Sequence, residues 1–324
     1  MIDLLKKLML TPSVSGREDK IRELIKKEVE PYADEVITDP LGNLIVRKRG
    51  TGKRIMLCAH VDEIGFFATY ITEKGLIKIN PIGGVNLLSA SYTEVVSENG
   101  VCGILVPDKA GEMPKAESMY IDIGAKSKKQ AESKVKLGDF FVVKPSIKRL
   151  MNQRYVGRPF DDRVGCAILI EALKQVESEN DLYFVFSVQE EVGARGARPA
   201  AYTIKPDIGI ALDVTGTGDR PGSKPMAVKL GGGCTIKLKD SGVICSPELV
   251  KSMQKIAEDN GVKYQNEILL YGGTDASAMQ SAGSGAQAGA ISIPSTNIHS
   301  SVEMIDLNDV KEAVKLTVAI AKEL

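Results

Sequence analysis

The stretch Ile55-Met56-Leu57-Cys58-Ala59-His60-Val61-Asp62-Glu63 sets the pattern for the whole chain: five apolar residues end abruptly in a histidine and two acids. An apolar run of that length suits a strand buried on both faces of a mainly parallel sheet. The same design recurs further on. Leu182 to Val188 runs into Gln189-Glu190-Glu191, Ile208 to Leu212 into Asp213, and Ala288 to Ile293 is followed shortly by His299. Helical stretches lie between these runs, over Val164 to Ser178 and over Pro247 to Asn260, the latter closed by Gly261. Strands alternating with helices indicate an α/β fold with a mixed, mainly parallel sheet flanked by helices. Ligands of such sheets bind outside the carboxyl ends of the strands, and every polar cluster just named falls there.

Outward from this frame, Ile2 to Met9 shows helical spacing of apolar residues. Ser15 followed by Glu18 reads as a capping box that starts a helix running to about Val29, ended by Pro31. Short strands are expected at Val36-Ile37 and Asn43 to Arg47, around the turn Asp39-Pro40-Leu41-Gly42. The region from about Phe67 to Arg154 differs in texture. Short alternating strands at Leu76 to Ile79, Tyr92 to Val96, Met119 to Ile123 and Phe140 to Val143 are separated by glycine and proline turns, with a polar loop at Lys109 to Lys115. The reading is a catalytic domain over 1–66 and 155–324, interrupted by a small β-rich domain over 67–154.

Composition removes several classes of function. Lysine plus arginine and aspartate plus glutamate number 42 each in 324 residues, so there is no basic excess to attract nucleic acid or an anionic membrane. No apolar run approaches the roughly 20 residues that span a bilayer. Met1 to Met9 is too short and too charged for a secretory signal. Five scattered cysteines, an odd number without a CxxC pair, fit a reduced cytoplasmic setting better than a disulfide framework.

Each polar cluster has a plain reading beside a chemical one. His60 can offer one ring nitrogen to a metal while Asp62 holds the other, or it can be a satisfied core histidine. Asp161-Asp162 precedes a helix, where aspartates commonly cap, yet a carboxylate there can also bridge two cations. Glu190 and Glu191 are adjacent acids after an apolar strand, and they resist burial without positive charge nearby. Successive residues of an extended segment face opposite ways, so one can bind metal while the other serves as general base. Asp213 alone is a turn former, and His299 alone is a structural histidine. Taken together, the chain's only two histidines and three carboxylates at sheet carboxyl ends match the ligand set of a co-catalytic zinc-type site. Cys58 and Cys166 read as core, no G-x-S-x-G elbow accompanies Ser300 and Ser301, and Gly231-Gly232-Gly233 lacks the spacing of a dinucleotide fingerprint.

The segments His60-Val61-Asp62-Glu63-Ile64-Gly65, Phe160-Asp161-Asp162-Arg163, Gln189 to Ala197, Asp213 and Ile298-His299-Ser300 resemble, in order and spacing, the TET-type aminopeptidases. This glutamyl and deblocking family of di-metal exopeptidases includes members once labelled endoglucanases. The resemblance implies a zinc-exopeptidase-like fold that removes N-terminal residues from short peptides, with two divalent ions per subunit, zinc or cobalt. It implies that His60 and Asp213 hold one ion, that Glu191 and His299 hold the other, and that Asp161 bridges them through a cis Asp161-Asp162 peptide. Glu190 would be the general base and Asp62 would orient His60. The insert would be a PDZ-like dimerisation domain in a homo-oligomer, either a dimer or a tetrahedral dodecamer. Gly272-Gly273-Thr274-Asp275 resembles a family loop near the substrate pocket. Thr296-Asn297 and Ser301 depart from the family pattern around the Ile-His-Ser segment. Activity on free-amine substrates separates this reading from a deacylase or a carboxypeptidase. Activity in chelator would point instead to a glycosidase using Glu190 with another acid, and failure to bind metal to a non-catalytic scaffold.

Overall fold

In the computed structural model, which describes residues 1–109 and 111–324, the four apolar runs lie side by side. Strands Asp181–Ser187, Arg54–His60, Ile208–Thr215 and Gln287–Thr296 form the parallel centre of an eleven-stranded sheet. Every residue from Ile55 to His60 and from Ile208 to Thr215 is buried, so both faces of this centre are covered. Helices Arg163–Gln175 and Leu307–Glu323 pack on each other and on the central strands. A separate pair, Ala197–Ile204 and Asp275–Gln280, does the same. Parallel pairing is largely confined to this centre. Leu44–Lys48 and Glu35–Thr38 extend one side antiparallel, and Glu303–Asp306, Arg154–Arg158 and Ser146–Arg149 extend the other. Strand Cys234–Lys239 joins Gln287–Thr296 antiparallel and carries Tyr264–Ile268 parallel.

The β-rich region closes on itself. Strands Gly65–Ile71, Ile77–Ile82, Met119–Asp122, Cys102–Pro107, Glu94–Ser97 and Phe140–Val143 make a small closed barrel. Phe66, Ile77, Val95, Leu105, Ile121 and Phe141 fill it, a core separate from that of the large sheet. Closure removes the exposed edges that such short strands would otherwise present. The polar loop expected at Lys109 to Lys115 includes Ala110, which lies outside the described residues.

Three local expectations are corrected. Ser15 and Glu18 do not form a capping box: helix Asp19–Val29 starts at Glu18 without a side-chain cap, and Glu18 accepts the Gly16 amide at 2.7 Å. The Ser15 hydroxyl is drawn away to the buried Asp62 carboxylate at 2.6 Å. The helix expected to reach Ser178 stops at Gln175, because Val176 turns extended and buries its side chain in the core. The Asp213 strand runs two residues further, to Thr215, whose hydroxyl bonds the buried Glu267 at 2.7 Å.

Candidate metal centre

Five strands deliver the site: the four of the parallel centre and Arg154–Arg158, which leads into Asp161. His60 is the last residue of its strand and almost fully buried. Its Nδ1 lies 3.0 Å from the main-chain oxygen of Asp62, which leaves Nε2 facing Asp161 Oδ1 at 3.1 Å and Asp213 Oδ1 at 3.9 Å. The Asp62 carboxylate is 3.5 Å from Nδ1, but its hydrogen bonds go elsewhere. It accepts the amides of Glu190 and Glu191 at 3.0 and 3.2 Å, and so fixes the turn that presents both acids.

Asp161 and Asp162 divide the two roles weighed for them. Asp162 caps helix Arg163–Gln175 by accepting the Gly165 amide at 3.0 Å. Asp161 turns the other way, with Oδ1 toward His60 and Oδ2 toward His299 Nε2 at 3.2 Å. The Arg158-Pro159 and Asp161-Asp162 peptides are both cis. Glu191 Oε2 approaches His299 Nε2 at 3.1 Å. His60, Asp161, Glu190, Glu191, Asp213 and His299 thus line one cleft of about 680 Å³. A larger hollow of about 940 Å³ at the opposite, amino ends of the strands holds Lys53, Arg54 and Lys205 but no such donor set.

The electrostatics of the cleft are those of unmet negative charge. Burial pushes the Glu190 carboxyl well above its usual range, and Asp213, Asp275 and Glu191 add to the rise. Burial does the same to Asp213, reinforced by Asp161. Burial opposes protonation of His299, but Asp161 and Glu191 outweigh it and raise the imidazole to about 11. Burial also works against Asp161, yet the two histidines hold its carboxyl below the ordinary carboxylate range. No lysine or arginine among the described residues pairs with Asp161, Glu190, Glu191 or Asp213. A buried cluster of this kind needs cations. Two groups of ligand atoms are close enough to hold one: His60 with Asp161 and Glu191, and His60 with Asp162 and Asp213. Imidazole nitrogen and carboxylate oxygen are the donors that zinc and its neighbours take, so the residues present fit divalent metal.

Among the supporting residues, Glu303, Arg158 and the Gly83-Gly84 pair escaped the sequence reading, while Asp275 lies in the loop it singled out. Glu303 is buried and accepts the Phe160 and Asp161 amides at 2.6 and 3.2 Å, which holds the cis segment. Its neighbour Arg158 donates to the Ser300 carbonyl at 3.2 Å, beside His299. Asp275, from the loop singled out by resemblance, is buried beneath Glu190 and accepts the Ser187 hydroxyl at 2.5 Å. Gly83 and Gly84, at the end of a barrel strand, lie against Glu191 and His299. A glycine pair directly after the alternating strand Ile77–Ile82 was the available signal for the last of these.

A dense set of imidazoles and carboxylates, buried at the carboxyl ends of a parallel sheet, defines a metal-dependent hydrolase. Comparison with known proteins narrows this. The family model for M42 glutamyl aminopeptidase matches residues 42–316, and the chain belongs to that family, whose members are metal-dependent aminopeptidases. It is 45% identical to a putative aminopeptidase of Acetivibrio thermocellus, over 98% of this chain and 97% of that one. It is 36% identical to the lysyl aminopeptidase of Pyrococcus furiosus, over 99% and 97% of the two chains. The TET1 peptidase of Pyrococcus horikoshii, which can assemble into a tetrahedron or a large octahedral shell, superposes with a TM-score of 0.91 at 36% identity, covering 100% of this chain and 99% of that one.

Proposed function

We propose that this aminopeptidase works with two divalent ions, zinc or cobalt, and removes N-terminal residues from short peptides. The observation that carries the reading is Asp161, whose two oxygens each face a different histidine at 3.1 and 3.2 Å. One ion is assigned to His60 and Asp213, the other to Glu191 and His299, with Asp161 shared. Bound there, the ions supply the positive charge that polarises a scissile carbonyl and acidifies the attacking water. Glu190 is the general base: it takes the water proton on its carboxylate and returns it to the departing amine. Asp62 keeps Glu190 and Glu191 on their separate sides through the two amide bonds. The free amine of the substrate would be held on the Glu191 and His299 side of the cleft, which would restrict cleavage to the chain end.

A second cavity of about 320 Å³ opens beside the cleft and suits the side chain of the residue removed. Arg220 and Lys224 line it, together with Thr217, Ser295 and Thr296, whose buried hydroxyls have no partner. Cations and unpaired donors favour an acidic or amide side chain there. The shells of the solved relatives support a homo-oligomer, dimer or dodecamer; the cytoplasm as its location, and the barrel as a PDZ-like dimerisation domain, are part of the same proposal. The division at 67–154 draws support from the barrel strands, which lie between Gly65 and Val143, while Ser146–Arg149 near its far end pairs into the large sheet.

The deciding experiment replaces Glu190 by Gln. Two ions should remain by elemental analysis while turnover of aminoacyl chromogenic substrates falls about 10²- to 10⁴-fold. Near wild-type turnover would remove Glu190 from the chemistry, and full activity in chelator would remove the metals.

A further inference from the structure

The barrel reaches into the metal centre at one point. Strand Ile77–Ile82 runs out into Gly83-Gly84-Val85-Asn86, and Asn86 then caps the short helix Leu87–Ala90. Along this loop the two glycines meet the two ligands assigned to a single ion. A Cβ on Gly83 would stand 3.2 Å from Glu191 Cβ and 3.3 Å from Glu191 Oε2, and Gly83 itself has φ +72°, which favours glycine. A Cβ on Gly84 would stand 2.9 Å from His299 Nδ1. The Gly84 carbonyl lies 3.0 Å from the same nitrogen, and the Asn86 amide donates to the His299 carbonyl at 3.1 Å. His299 needs this support, because it sits in a loop with φ +61° and its side chain is 31% exposed. His60, held within its own strand, is 2% exposed.

We infer that the Gly83–Asn86 loop of the barrel is a positioning element for the Glu191 and His299 ion, and that the inserted domain completes the metal centre. The inference rests on the ligand assignment proposed above. By accepting from Nδ1–H, the Gly84 carbonyl selects the tautomer that leaves Nε2 free for metal. The absence of side chains at Gly83 and Gly84 lets the loop close on both ligands at once. Among the described residues, no barrel loop meets His60 or Asp213 in this way, so a disturbance of the loop acts on one pair of ligands and spares the other.

The test uses the whole protein, stripped by chelator and titrated with Zn²⁺ alone by calorimetry. Wild type should take up two ions, and His299→Ala should retain one step while the other weakens. Gly84→Ala leaves the backbone in an accessible region and changes only the approach to His299. It should keep one step at wild-type affinity and weaken the other 10- to 100-fold, with the apo unfolding midpoint unmoved. Two wild-type steps in Gly84→Ala overturn the positioning role. If His299→Ala also keeps two wild-type steps, the ligand assignment has failed instead, so the two failures are distinguishable. If Gly84→Ala does not fold, Asn86→Pro substitutes for it: φ is −77° at that position, and the change removes the amide that holds the His299 carbonyl. One weakened step is again expected, and two unchanged steps overturn the proposal.

Discussion

Lys237 offers a stringent test of the energetics behind the site. Its ammonium is fully buried, paired with Glu267 and 3.7 Å from Asp240. Glu267 also accepts the hydroxyls of Thr215 at 2.7 Å and Thr235 at 2.6 Å. Thr215 lies two residues beyond Asp213 on the same strand, so this network underlies the end of the sheet that carries the cleft. Lys237→Met conserves most of the volume but leaves Glu267 buried with only two neutral donors. Breaking a buried pair from one side costs about 3–5 kcal/mol. Unfolding entropy for a chain of 324 residues is on the order of 0.7 kcal/mol/K, so the midpoint should fall by roughly 4–7 °C. Adding Glu267→Gln removes the stranded charge and keeps a partner for the threonine hydroxyls. The double variant should recover more than half of the loss. Asp240 Oδ1 keeps the Gly242 and Val243 amides at 2.8 Å each, but its buried Oδ2 loses the ammonium 3.7 Å away in both variants, so the recovery should stay short of complete. Scanning calorimetry of the chelator-treated proteins measures both midpoints without a contribution from bound metal. A single-variant shift below about 1 °C, or a double variant no better than the single, would refute the account.

Further outcomes follow from other parts of the molecule. Burial raises the Asp309 carboxyl to about 6, despite the Gly231 and Gly233 amides it accepts at 2.7 Å each. A raised folded pKa favours the protonated fold, so its contribution is full below the ordinary aspartate value of 3.8 and is lost as pH rises through about 6. With solvent screening the change is roughly 1–2 kcal/mol, and urea denaturation at pH 4 and pH 7 should show that component vanish in Asp309→Asn. Replacing Arg220 and Lys224 by Ala should lower kcat/KM about 10-fold or more for a glutamyl chromogenic substrate relative to a leucyl one; an unchanged ratio would place the side-chain pocket elsewhere. Asp62→Ala should unmoor both Glu190 and Glu191, so turnover and the affinity for one ion should fall together, as paired kinetic and Zn²⁺ titrations would reveal. Loss of turnover alone would mean that Asp62 does not hold the Glu191 side.

The parallel centre of the sheet was legible because burial on both faces demands continuous apolar runs, and its strands carry them up to a polar tip. The polar residues at the run ends were legible for a related reason. A buried strand tip tolerates His60, Asp213 or an adjacent pair such as Glu190-Glu191 only when something answers their charge, and the structure gathers all of them within one cleft. The antiparallel flanks were harder to read, since Ser146–Arg149 and Glu303–Asp306 are only four residues long, and the latter pairs with Arg154–Arg158 across more than a hundred residues. The closure of the barrel was hidden for the same reason: alternation announces strands but not which strand meets which.

What stayed illegible near the site is consistent in kind: groups whose partners are distant in sequence. Ser15 and Glu18 have the spacing of a capping box, and local chemistry alone would form one. The structure spends Ser15 on Asp62, because an acid with no exposed surface gains more from a charge-assisted hydrogen bond than a solvated helix end gains from a cap. Glu303 looks like an ordinary acid in a strand, yet it holds the segment that aims Asp161, 142 residues away. Gly83 and Gly84 look like turn residues, yet their missing side chains make room for Glu191 and His299. Ligand atoms are constrained by chemistry to a few residue types and so announce themselves. The residues that aim those atoms are constrained only by where the chain brings them, and any hydroxyl, carboxylate, carbonyl or gap of the right size will serve. A search for such residues therefore has to start from the buried ligands and follow their remaining hydrogen bonds outward, and here that route leads from His299 across the sheet into the barrel.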